Sequence, residues 1–320
     1  MTLEDVFITD RALRPIWRCL LSVVLVFVAH EVANLAAGEL QDAVPWLGAK
    51  YAVYFLFELA ALLGVFKIMT RLFERKPLAL VGLAFHPAWV KELCTGLIIG
   101  GIMMVLVGVA EVLLALARFT PSPLAVTSEL AYGGGLFLIL FISATNEELV
   151  FRGYPFQKLV ESLGPAGAVA LASVCFGLVH LGNPDHTLFS TVNTMLVGVP
   201  LSIAYLRTRA LWIPVGIHFA WNYVQGFIFG LPVSGFRLPA TVLNPRVHGG
   251  AWLTGSHYGP EGGLLCTIVV AGAGIFLFLS PRIRMSAKMR ELVYGPSPWT
   301  AETPALHISP ERGSGGQGPS

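Results

Sequence analysis

An all-α bundle of about eight membrane-spanning helices is the fold this sequence predicts, on three observations. The 320-residue chain is 55% hydrophobic and only 12% charged, against about 25% charged in an ordinary soluble domain. Its apolar residues gather into runs near the roughly 20 residues a helix needs to cross a bilayer core. Its lysines and arginines alternate between heavily and sparsely basic connections, as the retention of basic segments on the cytoplasmic side requires.

The first fifteen residues, MTLEDVFITDRALRP, mix acidic and basic groups and lack the apolar core and small-residue cleavage site of a signal peptide. The first long apolar run is therefore expected to stay as an anchor. Candidate spans follow at about 16–37, 50–71, 94–117, 133–153, 166–182, 187–206, 211–230 and 263–281. Arg11 and Arg14 precede the first span, Arg71, Arg75, Lys76 and Lys91 lie between the second and third, and Lys158 follows the fourth. Arg207 and Arg209 separate the sixth and seventh, and Arg282, Arg284, Lys288 and Arg290 follow the eighth. This alternation places both termini in the cytoplasm, with a bacterial inner membrane the expected location. The opposite connections hold chiefly Lys50, Arg118, Arg237 and Arg246.

The expected organisation is a cytoplasmic segment at 1–15, N-terminal transmembrane helices at 16–130, and helices bearing intramembrane polar residues at 131–230. A Gly- and Pro-rich outer loop at 231–262, a last transmembrane helix at 263–281 and a cytoplasmic, disordered tail at 282–320 complete it. No repeat of solenoid period appears. A net charge of +2, with no basic block flanked by aromatics, excludes nucleic acid as a partner. Cys19, Cys94, Cys175 and Cys266 stand singly in apolar runs, without disulfide or metal-ligand spacing, and read as small buried hydrophobes.

Chemistry is expected where polar groups interrupt the apolar runs, because an ionisable group at membrane depth costs about 2.5–3.5 kcal/mol on insertion scales. In FISATNEELVFRGY, Glu148 and Arg152 stand one helical turn apart, in the order that favours an intrahelical ion pair. Glu147 lies about 100° around the helix from Glu148 and lacks that partner. The stretch thus offers an orienter, Glu148, and a base, Glu147; a structural polar knot between helices is the other reading. In CFGLVHLGNPDH, His180 closes an apolar helix just before Gly182 and Pro184, with Phe176 one turn earlier and able to pack on its ring. A lone histidine at a span end is more often an interhelical hydrogen bonder than a catalyst. In IPVGIHFAWNY, His218 and Asn222 share one helix face, where an interhelical hydrogen-bonding pair is the competing reading. Pro214, four residues before His218, is expected to loosen the backbone there.

A hairpin turning at Gly164-Pro165 would bring two of these points together. Glu147 lies 17 residues before Gly164 and His180 16 after it, so each is about 24–26 Å from the apex at about 1.5 Å per residue. His218, 11 residues after Arg207, falls at a comparable depth. The construction requires Pro155 not to break the helix, and its tip, with Arg152, Gln157, Lys158, Glu161 and Ser162, is expected to protrude into the cytoplasm. Ser143, Thr145, Asn146, Asn183, Asp185, His186, Thr191 and Asn193 are candidates to line a hydrated cavity.

Glu147-Glu148-x-x-x-Arg152, Phe176-x-x-x-His180 and His218-x-x-x-Asn222, in that order over about Ala131 to Phe229, resemble the CAAX prenyl protease and bacteriocin-processing (CPBP) family of intramembrane endopeptidases. The resemblance implies a helical fold of about eight spans. It also implies that Glu147 with His180 activates a water, that His218 and Asn222 stabilise the oxyanion, and that a peptide bond of a membrane-associated protein or peptide is cut within the bilayer. Such assignments suit a low-dielectric cavity, where preorganised donors stabilise a developing oxyanion strongly. Metal-free chemistry is the expectation, although Glu147, His180 and His218 are chemically competent zinc ligands.

Other features of the sequence offer competing readings. His30-Glu31-Val-Ala-Asn34 falls one histidine short of the HExxH zinc pattern and reads as an interhelical polar cluster. Gly255-Ser256 lies in the outer loop, far from any helical serine site. A non-catalytic binding or immunity-type membrane protein could use the same polar cluster. A transporter or channel is third, because buried Glu and His also make proton relays, with no inverted repeat in its favour.

Overall fold

The computed structural model describes residues 7–9, 12–41, 47–124 and 126–296. Most of the expected tail beyond Pro296 therefore lies outside the described residues. A two-residue antiparallel pair, β1 (Ile8–Thr9) and β2 (Ala12–Leu13), precedes the helices. These are α1 (Pro15–Gln41), α2 (Leu47–Met69), α3 (Trp89–Leu113), α4 (Val126–Arg152), α5 (Tyr154–Val179), α6 (Leu188–Thr208), α7 (Trp212–Tyr223), α8 (Leu264–Leu279) and α9 (Ala287–Tyr294). The first eight overlap the eight expected spans, but α4 begins at 126 rather than 133, α5 well before 166, and α7 ends at 223 rather than 230. Among the described residues, five stretches are long and apolar enough to cross a membrane, and one of them, Val126–Gly182, contains both α4 and α5. The protein is an integral membrane protein, with many large apolar side chains such as Leu35, Leu113 and Leu279 facing outward, as lipid contact permits.

The interior holds two large packed clusters and a smaller one around Trp212 and Met289. Met104, Val107, Leu201, Ile217, Cys266 and Leu277 join α3, α6, α7 and α8; Leu62, Phe66, Leu149, Phe156, Ala168 and Tyr205 join α2, α4, α5 and α6. The α7 helix, only 12 residues long, is almost wholly sheathed by its neighbours, which is why it need not span the bilayer alone. Its closest crossing is with α3. Gly96 and Gly100 abut the backbone of Ile213, Gly216 and Ile217, and a methyl group on either glycine would collide with a carbonyl oxygen there. This small-residue stripe, one turn apart, lets the two backbones touch. A ribbon of β3 (Ala117–Pro121) and β4 (Leu243–Val247), antiparallel with Phe119 opposite Pro245, ties the loop after α7 to the end of α3.

Several expectations are corrected. The helix does not run through Pro155: it ends at Arg152, Gly153 leaves helical geometry, and Pro155 enters the first turn of α5, where its missing N–H costs nothing. A second break at Gly164, at φ 71°, uses the left-handed region that glycine tolerates. The segment 154–163 is therefore a separate short helix, and only its far end is exposed. Arg152, Gln157 and Lys158, expected at a protruding tip, are buried. Lys158 Nζ lies 3.0 Å from Glu74, Tyr154 donates to the same carboxylate at 2.9 Å, and Gln157 donates to the Leu80 carbonyl at 2.7 Å. Unpaired, these groups would be costly to bury; paired, they fasten the short helix inward.

Pro214 does not loosen α7 but sits in its first turn; the irregular backbone comes later, as a π-helical turn at Val224–Ile228. Of the four cysteines, Cys19 and Cys266 are buried but Cys94 and Cys175 are exposed, on helix faces that point outward. Within the segment expected to be disordered, 287–294 is helical. Ser286 caps its start, buried Met289 docks it, and Lys76 donates to the carbonyls of Leu292 and Val293 at 2.9 and 2.6 Å.

Candidate active site

The last turns of α4 hold the two glutamates and the arginine. Glu148 and Arg152 are fully buried and joined at 3.0 Å, and Arg152 also donates to the Gly198 carbonyl of α6 at 3.2 Å. Glu148 Oε1 accepts, in addition, from His218 Nδ1 at 2.9 Å. One carboxylate oxygen thereby fixes both the arginine and the imidazole of α7. Glu147, rotated around the helix from Glu148, keeps 34% of its side chain exposed. Its Oε2 lies 4.0 Å from His180 Nε2 and 3.8 Å from His218 Nε2, longer than a direct hydrogen bond and within reach of a bridging water.

Phe176 holds the two imidazoles in place. Its ring lies 4.9 Å from that of His180 and 6.1 Å, edge-on, from that of His218, while the Arg152 guanidinium covers it at 4.6 Å, an attractive cation–π arrangement. The expected packing of Phe176 on His180 is thus present. His180 Nδ1 is 2.7 Å from the Phe176 carbonyl; a carbonyl only accepts, so Nδ1 bears a proton and Nε2 is the ring atom that faces Glu147. By the same reasoning His218 donates from Nδ1 to Glu148, and a second donation from its Nε2 requires the imidazolium.

Beside these groups lies a cavity of about 40 Å³ whose polar wall is His180, Thr194, His218, Asn222, Ser234 and Glu261, large enough for water. Glu147 does not line it; its Oε2, the atom that faces the imidazoles, is buried without a hydrogen bond, and the exposed part of the side chain lies elsewhere. Asn222, one turn beyond His218, reaches the cavity but makes no hydrogen bond among the described residues. None of the eight residues expected to line a hydrated cavity lines this one, although Asp185 borders a separate pocket beside Trp252 and Tyr258. Asn146 instead donates to the Phe55 carbonyl and Glu58 at 2.9 and 3.0 Å, Asn193 to the Gly263 carbonyl at 2.9 Å, and Thr145 to the Phe141 carbonyl at 2.7 Å.

Ser234 and Glu261, both on the loop after α7, escaped the sequence reading. Glu261 accepts from the Ser234 amide at 2.6 Å, the Ser234 hydroxyl at 2.9 Å and the Trp221 indole at 3.3 Å. Burial pushes its carboxyl above the usual range, against the pull of the Ser234 donors and the nearby His180. The loop is therefore a wall of the site rather than a free connection. A buried carboxylate in a Gly-rich loop gives no periodic signal, so only its position late in the loop, just before an apolar run, could have drawn notice.

His30 does form the expected interhelical cluster, with Nδ1 2.9 Å from Glu58 Oε1 and 2.9 Å from the Tyr54 hydroxyl. Glu31 and Asn34 stay exposed and take no part. Through Glu58 and Asn146 the cluster braces the residue next to Glu147. Among the described residues no group of three or more His, Cys, Asp or Glu is arranged to hold a metal ion.

Comparison with known proteins matches the same helices. A family model described as "Type II CAAX prenyl endopeptidase Rce1-like" covers residues 130–224. The "Putative membrane peptidase YdiL" of Bacillus subtilis (strain 168) is 28% identical over 107 residues, 33% of this chain and 42% of that relative's length. No solved structure matches. The segment holding Glu147, His180, His218 and Asn222 is therefore similar to the CAAX prenyl protease family, the kinship its three ordered motifs indicate.

Proposed function

We propose that the protein is an intramembrane endopeptidase that hydrolyses a peptide bond of a membrane-associated protein or peptide. The observation behind this reading is the convergence of Glu147 Oε2 on the Nε2 atoms of His180 and His218 at 4.0 and 3.8 Å. A water between Glu147 and His180 loses a proton to this pair as its oxygen attacks the scissile carbonyl. The developing oxyanion takes hydrogen bonds from His218 Nε2–H and the Asn222 amide, both of which border the cavity. As the tetrahedral intermediate collapses, the C–N bond breaks and the proton held by Glu147 and His180 passes to the leaving amine. Glu148 keeps the His218 ring in position, and Arg152 holds Glu148 in place.

The cavity of about 40 Å³ suits water and not a peptide, so the substrate approaches from outside it. Comparing membrane proteomes of cells expressing the native chain and Glu147→Gln tests the reading: a cleaved peptide should appear only with the native chain. A product formed equally by both would refute the assignment. Water activation by glutamate and histidine, rather than by zinc, predicts that strong chelators leave turnover unchanged. Loss of turnover that added zinc restores would replace it with metal-assisted hydrolysis.

A further inference from the structure

The end of the bundle that bears α9 holds a cationic groove of about 1310 Å³, lined on one side by Lys91, Arg282, Arg284 and Arg290 and on the other by apolar groups including Ile98 and Phe276. All four cations are exposed, and among the described residues none of them forms an ion pair. Of the two acidic groups that line it, Glu291 is paired with Lys288 at 2.9 Å, and Glu92 is buried, its Oε2 3.2 Å from His86 Nε2 but without a hydrogen bond, so the exposed charge of the groove is cationic. A bias of basic residues toward one side of the membrane orients a protein, but it does not require four of them, from three separate elements, to converge on one groove.

The scaffold that presents these cations is itself fixed. Arg207 of α6 donates to the carbonyls of Phe278 and Ile283 at 2.8 and 2.9 Å and to that of Ser280. It thus pins the turn that displays Arg282 and Arg284. Buried Met289 and the Lys76 cap on the last carbonyls of α9 hold Arg290 in place. Lys91 rides the first turn of α3. The apolar side continues into the outward faces of α3 and α8, where Ile98, Ile102, Ile275 and Phe276 are all exposed.

We propose that this groove is a binding site for an anionic phospholipid, whose phosphate sits among the four cations while its acyl chains lie along Ile98 and Phe276. Charge complementarity selects an anion, and continuity with the lipid-facing helices selects a membrane lipid over a soluble phosphate. The site is independent of the peptidase reading.

Native mass spectrometry of the detergent-solubilised full chain tests it, with phosphatidylglycerol and phosphatidylcholine of matched chains in competition. The native protein should retain phosphatidylglycerol preferentially. An Arg282→Gln, Arg284→Gln, Arg290→Gln triple variant should lose roughly a hundred-fold of that preference, and Lys91→Gln alone about five-fold, from the attraction of each cation at a membrane surface. Lys91→Gln decides the matter if the triple variant fails to fold by size exclusion. Equal retention of the two lipids, or a preference unchanged in the variants, would overturn the proposal. So would complete displacement of phosphatidylglycerol by equimolar inorganic phosphate, which would make this a soluble-anion site.

Discussion

At the scale of single residues, the division of labour between adjacent glutamates follows from one helical step. Glu148 turns inward to Arg152 and His218 Nδ1 at 3.0 and 2.9 Å, while Glu147 turns its Oε2 toward two imidazoles. That split was legible in the sequence, because an i,i+4 partner exists for one carboxylate and not for the other. Removing one partner from so buried a pair leaves an uncompensated charge, which makes Glu148 and Arg152 poor probes of chemistry. Asn222 is the better probe, since its side chain lines the cavity and makes no hydrogen bond among the described residues. Asn222→Ala should fold normally and lower kcat by about 10²–10³-fold, the usual cost of one oxyanion donor. Steady-state kinetics on a peptide substrate would show it, and an unchanged kcat would remove Asn222 from the oxyanion site.

Among the elements, α7 matters most, because it presents both His218 and Asn222 while being too short to anchor itself. The Gly96 and Gly100 stripe of α3 fixes its depth by backbone contact. Gly100→Leu should therefore push α7 outward and abolish cleavage while α4 and α5 stay folded. Thermal denaturation in detergent and activity on the same sample would separate the two effects, and full activity would show that the crossing does not set the site. The spacing Gly96-x-x-x-Gly100 was visible in the sequence, but it declares a packing surface without naming its partner. The break at Gly153 was not legible: Pro155 restricts the chain, yet whether helix continues or stops depends on the buried contacts that Gln157 and Lys158 make with Glu74, Leu80 and Tyr205. The convergence of Glu147 and His180 was expected from a straight hairpin, and it arises instead through two breaks that bring α4 and the second half of α5 alongside each other.

Over the whole molecule, the helical class and the order of the spans followed from apolar run length alone. The site followed from three polar interruptions whose spacing matched helical turns. What stayed hidden depends on long-range return: the loop from Leu231 to Gly262 folds back to supply Ser234 and Glu261, and α9 docks through Met289 and Lys76 instead of trailing away. Local composition cannot reveal such contacts, because Gly, Pro and Ser are equally at home in a solvated linker and in a wall shaped by tight turns.

The central claim is that Glu147, His180 and His218, drawn from three separate helices, act as one catalytic unit. Kinetics of the reconstituted protein with Glu147→Gln, His180→Ala and His218→Ala, singly and combined, test this most directly. Residues that act as a unit are strongly non-additive, so each single change should reduce kcat/KM by about 10³-fold or more, and the triple variant should fall little further. Losses that multiply across the three sites, or a single variant near native activity, would contradict it.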